Sequence, residues 1–158
     1  MKKLLLPLIA LLLLTGCASG APPLQTMSPE QEAAVRPTPN LVIEAGGRIF
    51  YADLEHDPSA EAFVEKLSAG PLELELHDNG GVEKVGSLPW TLEESGEELT
   101  AEPGDLILYP GNRLAVCCGQ NAGTFTRLAR IGGLSGDELR RILGDGDVTV
   151  SLWIEWSE

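Results

Sequence analysis

Gly104-Asp105-Leu106-Ile107-Leu108-Tyr109-Pro110-Gly111-Asn112-Arg113-Leu114-Ala115-Val116-Cys117-Cys118-Gly119 is the stretch on which the fold turns. Glu102 to Asp105 carries the Pro-Gly of a turn, and Leu106 to Tyr109 is a short apolar run of strand length. Pro110-Gly111-Asn112 turns the chain again into a strand over Arg113 to Gly119. Neither run is long enough for a helix with one apolar face, so this region is sheet.

The same grammar extends outward. Towards the amino terminus, Leu72 to His77 alternates strictly between apolar and polar residues, which gives a strand one dry and one wet face. Asp78-Asn79-Gly80-Gly81 closes it as a turn, and Val82 to Trp90 reads as mixed and loop-rich. Leu41 to Ala45 and Arg48 to Leu54 form a hairpin across Gly46-Gly47. Asp57-Pro58 suits the cap and first turn of a helix, with Ala60, Phe63, Val64 and Leu67 on one face and Gly70-Pro71 as its stop. Towards the carboxyl terminus, Glu97 to Ala101 is a short strand inside an acidic stretch, Glu93 to Glu102, that reads as a solvated hairpin. Gln120 to Gly123 is a loop and Thr124 to Ile131 a strand. Leu134 to Leu143 is a second short helix stopped by Gly144, and Asp147 to Trp156 a closing strand with Val148, Val150, Leu152 and Ile154 on one face. About eight strands and two short helices point to a closed antiparallel β-barrel, since closure removes exposed edges and helices cover the open ends.

Outside this segment the chain has a different character. Met1-Lys2-Lys3 is followed by an apolar run from Leu4 to Leu14, too short for a spanning helix of about 20 residues but fitting the apolar part of a signal peptide. Leu14-Thr15-Gly16-Cys17 then resembles the lipobox of bacterial lipoproteins. The resemblance implies cleavage before Cys17, a diacylglyceryl group on its sulfur and further acylation of the freed amine. Two or more chains make a stable anchor where one does not. Ala18 and Ser19 imply an outer-membrane destination wherever the cell has two membranes. Residues 17–40, rich in Pro and Ala, form a tether, and residues 41–158 the folded domain.

Charge narrows the partners. The net charge is −13, and loss of Lys2 and Lys3 with the leader leaves 9 of 11 basic residues against 24 acidic ones, a balance of −15. Nucleic acid needs a basic face and is excluded as a partner. Anionic lipid is repelled, so attachment rests on acylated Cys17 and membrane lipid.

Glu83 to Trp90, Gly104 to Tyr109, and Thr126-Arg127-Leu128 with Ile131 resemble the bacterial cyclophilin-like domain, in the family's order of elements. The resemblance implies an eight-stranded antiparallel barrel capped by helices. It also implies comparison with the peptidyl-prolyl isomerases of that fold, whose site combines an arginine with an apolar floor, a glutamine, a tryptophan and a histidine. Here the segment matching the arginine reads Gly81 to Gly86, with acid and lysine instead, and neither histidine falls at the family's position. Leu114 to Cys118 replaces the phenylalanine-rich strand. The expected function is therefore a non-catalytic module for an extended or proline-containing peptide or another ligand, with an envelope isomerase of divergent site as the alternative.

Candidate residues follow, with no catalytic residue assigned beyond Arg127 as the available guanidinium. Gln120, Asn121 and Phe125 lie near it in sequence, although 24 acids favour a carboxylate partner for Arg127 on the barrel rim. Leu88 and Trp90 form either a pocket lip or a loop anchored by a half-buried tryptophan, and Tyr109 ends its strand. Lys84 is a ligand candidate whose simplest reading is a solvated pair with Glu83. Cys117 and Cys118 cannot bridge each other at about 3.8 Å between Cα atoms; one is expected in the core and one in a pocket or at the surface. No cofactor is implied. No metal site is expected either: His56 and His77 lack converging ligands, and Gly144 to Asp147 reads as a turn.

Overall fold

The computed structural model describes residues 37–158. The expected signal peptide, Cys17 and most of the expected tether lie outside these residues. The elements run β1 (Thr38–Ala45), β2 (Arg48–Leu54), α1 (Pro58–Leu67), β3 (Leu72–Asn79), β4 (Glu83–Ser87), β5 (Glu97–Ala101), β6 (Asp105–Tyr109), β7 (Arg113–Cys117), β8 (Asn121–Ile131), α2 (Gly136–Leu143) and β9 (Val148–Ser157).

Local chemistry sets the first elements. Gly46 and Gly47, at φ of 57° and 73°, make the two-residue turn between β1 and β2, a conformation that favours glycine at both positions. Asp57 caps α1 by accepting from the Ala60 N–H at 2.9 Å. Its face of Ala60, Phe63 and Leu67 is buried, and full burial of a side chain such as Phe63 contributes about 1.5–3 kcal/mol. In α2, Ser135 and Glu138 form a reciprocal capping box, and Gly144 ends the helix at φ 79°. Leu134 precedes this helix and packs against the core from outside it.

Every strand pairing is antiparallel. The order β2-β1-β9-β3-β4-β7-β6-β8 closes on itself where Ala52 to Leu54 of β2 pairs with Ile131 to Ala129 of β8. This is the expected ring of eight, and β5 is a ninth strand outside it, paired only with the first half of β8. Leu106, Leu108, Leu114 and Val116 point into the drum and join the main core with Leu41, Ile43, Phe63, Leu76 and Leu152. The alternate residues Ile107, Ala115 and Cys117 form a second, smaller cluster on the outer face with Ala101 and Phe125.

Four expectations change. The segment Val82 to Trp90 is not loop-rich: it contains β4. Its polarity pattern is irregular because Lys84 is buried and Val85 is only half-buried. The acidic stretch from Glu93 is not a hairpin, because β5 pairs with β8 and not with its chain neighbours. The same pairing draws Asn121 to Gly123, expected as a loop, into β8. Finally, Thr38 to Asn40, placed in the tether by composition, pair with Ser157 to Glu155 and lengthen β1.

A candidate binding groove on the outer face

β3 changes partners along its length. Leu72 to Leu76 pair with β9, whereas only His77, Asp78 and Asn79 pair with β4. Where the β3–β4 ladder stops, an open groove of about 670 Å³ forms between Leu74 and Glu75 on one wall and Val85, Gly86 and Ser87 on the other. The two strands still touch at Gly86, whose lack of a side chain permits the close approach. A Cβ there would lie 2.5 Å from the Glu75 carbonyl oxygen and 2.7 Å from a Leu76 methyl carbon. His77, Asp78, Asn79, Glu83, Tyr109 and Arg113 complete the lining.

The floor is a buried carboxylate. Glu83 is only 3% exposed. Its Oε1 accepts from Asn79 Nδ2 at 2.6 Å, and the Tyr109 hydroxyl donates to both carboxylate oxygens at 2.9 and 2.8 Å. Asn121 Nδ2 in turn donates to the Tyr109 oxygen at 3.0 Å. Burial and the adjacent Glu83 carboxylate push the Tyr109 hydroxyl well above its ordinary value, so it stays a donor. Its ring stands edge-on to Phe125 at 5.1 Å, and the Arg113 guanidinium lies 5.1 Å from its centroid. Tyr109, Asn121 and Phe125 are thus brought together as one supporting network.

Arg127 lies elsewhere. Its Nε donates to Glu55 at 2.5 Å and its Nη1 lies 3.7 Å from Asp105. It shares a smaller cavity, about 280 Å³, with Glu55, His56, Glu97 and Phe125, not with Tyr109. Asp105 is fully buried and takes a second, two-pronged contact from Arg130. The rim-carboxylate reading of Arg127 is the one the geometry supports.

The other candidates separate further. Leu88 is buried in the core, and Trp90 packs edge-on to Phe63 at 5.9 Å as a loop anchor. Gln120 donates to the Glu102 carboxylate at the surface. Lys84 is corrected outright: it is 1% exposed and has turned away from Glu83. Its Nζ donates to Asp78 Oδ1, the Gly144 carbonyl and the Gly146 carbonyl, each at 2.7 Å. Adjacent residues of one strand point to opposite faces, so Glu83 meets the groove and Lys84 the interior.

Both described cysteines are buried and free, so neither is the pocket or surface thiol expected. Burial raises both, with the Cys117 thiol pushed up to about 12. Sequence spacing also hid a side-chain cluster. Glu75, His77 and Asp147 place one ligand atom each within 4.8 Å of one another, which corrects the expectation that no ligands converge. Only the β3–β9 register reveals it, although Glu75 and His77, two residues apart on one strand, were a partial signal.

A family model described as the Cyclophilin-like family matches residues 43–153. No curated protein and no solved structure gives a significant match.

Proposed function

The chain belongs to the Cyclophilin-like family, and from that premise we propose that its barrel is a non-catalytic binding module for an extended peptide segment. The observation that carries this reading is the commitment of Arg127 to Glu55 and Asp105, in a cavity apart from the groove. Isomerisation of an X-Pro bond needs a donor placed at the amide in the transition state, against a barrier of about 18–20 kcal/mol. Binding needs only a complementary trough. The groove lies where the β3–β4 ladder has ended, which suits an extended chain. With Asp78 paired to Lys84, Glu75 and Glu83 still outnumber Arg113 along it, which favours a peptide carrying a basic side chain.

Its place in the cell follows from Leu14-Thr15-Gly16-Cys17. We propose that acylated Cys17 holds the chain on the non-cytoplasmic side of a bacterial membrane, with the tether presenting the barrel to the envelope.

Two experiments test these statements. The full chain is assayed for acceleration of isomerisation in a Lys-Pro peptide, and for binding of a fluorescent copy of that peptide. The expected result is binding that weakens about tenfold in Glu83→Gln, with no acceleration. Acceleration abolished by Arg127→Ala overturns the non-catalytic reading. For the anchor, Cys17→Ala is expected to release the protein from membrane fractions and to block normal signal processing. Persistence in the membrane with normal processing overturns lipidation.

A further inference from the structure

We propose that Glu75, His77 and Asp147 form a binding site for one divalent transition-metal ion of the zinc class, at the edge of the groove. The inference does not depend on what the groove itself binds.

The backbone builds the cluster. Glu75 and His77 project to the same face of β3. The register pairs Glu75 with Thr149 and Leu76 with Val148, so the next residue back on the opposing chain, Asp147, arrives beside His77. His77 Nδ1 lies 2.9 Å from Asp147 Oδ2, and the Asp78 N–H donates to the other oxygen, Oδ1, at 3.2 Å. The loop carrying Asp147 is held from below, because buried Lys84 binds the carbonyls of Gly144 and Gly146. Asp147 is therefore oriented by contacts from outside the cluster, the support a metal site needs beyond its ligands.

The donor set selects the ion. One imidazole nitrogen with two carboxylate oxygens suits zinc and its neighbours, whereas calcium and magnesium prefer oxygen alone. Tetrahedral bonds of about 2.0–2.1 Å put ligand atoms roughly 3.4 Å apart. The present spread, within 4.8 Å, closes by rotation of exposed side chains. Two carboxylates and neutral imidazole balance the ion's two charges. Three protein ligands leave a position for water or for a donor from a molecule lying in the groove, since Glu75 and His77 line both sites.

The test is calorimetric titration of the full chain with Zn²⁺, paired with Co²⁺ absorption spectra. The expected result is one equivalent bound. Co²⁺ should give d–d bands without a thiolate charge-transfer band, which separates this site from any cysteine. His77→Ala and Asp147→Asn are each expected to weaken the site about tenfold or more. Both positions are exposed, with side chains 64% and 55% accessible, so the variants should keep the wild-type urea midpoint. Binding of equal strength in both variants, a thiolate band for the single equivalent, or no saturable binding overturns the proposal.

Discussion

Replacing Lys84 with methionine tests the architecture at its most loaded side chain. Lys84 Nζ is sealed from water and spends its three protons on Asp78, Gly144 and Gly146. Methionine keeps most of the stem's packing but leaves two carbonyls and one carboxylate oxygen without their donor. Asp78 keeps access to water, so the loss falls mainly on the two carbonyls, at about 1–3 kcal/mol for each acceptor left without its donor. Net stabilities of domains this size are about 5–15 kcal/mol, so the variant should fold with a large deficit. With a urea slope of about 2 kcal/mol per molar, the midpoint should fall by roughly 1–3 M. Trp90, on the loop packed against Phe63, reports the transition by fluorescence.

Two controls make the result diagnostic. Asp78→Asn retains an acceptor for Nζ and leaves both carbonyl contacts intact, so its midpoint should fall by much less. The pair also sets an acid dependence. The Lys84 ammonium, donating to Asp78, holds that carboxyl below its ordinary 3.8. Stability from a depressed carboxyl is fully present above its unfolded value and is lost as pH falls through the folded one. The gap between wild type and Lys84→Met should therefore be full at pH 7 and narrow below about pH 4. A deficit under about 1 kcal/mol at pH 7, or equal losses in Lys84→Met and Asp78→Asn, would refute the three-acceptor account.

Two further predictions concern the strands around the groove. Cys117 and Cys118 are buried, with Cys117 raised to about 12, so thiol reagents at pH 8 should label neither until urea unfolds the domain; prompt labelling of either, read by mass spectrometry, contradicts the packing. Gly86→Ala puts a methyl group 2.5 Å from the Glu75 carbonyl oxygen, so β3 must shift; the expected loss is about 1–3 kcal/mol by urea denaturation, and an unchanged midpoint contradicts the close approach.

Much of the frame was legible because local chemistry decides it. The Asp57-Pro58 cap, the period of Ala60, Phe63 and Leu67, the Gly46-Gly47 turn and the alternation from Leu72 to His77 each state their structure within a few residues. The failures share a cause. β4 was hidden because a lysine occupies an inward position, and the acceptors that make this tolerable, Gly144 and Gly146, lie about 60 residues away. The groove and the Glu75–His77–Asp147 cluster arise where β3 exchanges one partner for another, a property of register and not of composition. Arg127 pairs with Glu55, 72 residues distant in sequence, a partner that no local pattern identifies.

Glu83 and Lys84 show why one strand can govern two sites independently. Alternation sends the carboxylate outward to the groove floor and the ammonium inward beneath the Asp147 loop. Glu83→Gln removes charge from the floor and touches no member of the Glu75–His77–Asp147 cluster. It should weaken a basic peptide about tenfold and leave Zn²⁺ affinity unchanged. Lys84→Met acts oppositely: it frees the loop carrying Asp147, so Zn²⁺ affinity should fall about 10–100-fold, the effect typical of lost outer support at a metal site. Peptide binding should change less, because Asn79 and Tyr109 still hold Glu83. Parallel titrations of both variants decide the matter, and a common fall in both affinities for both variants would mean that the two sites are not separately held.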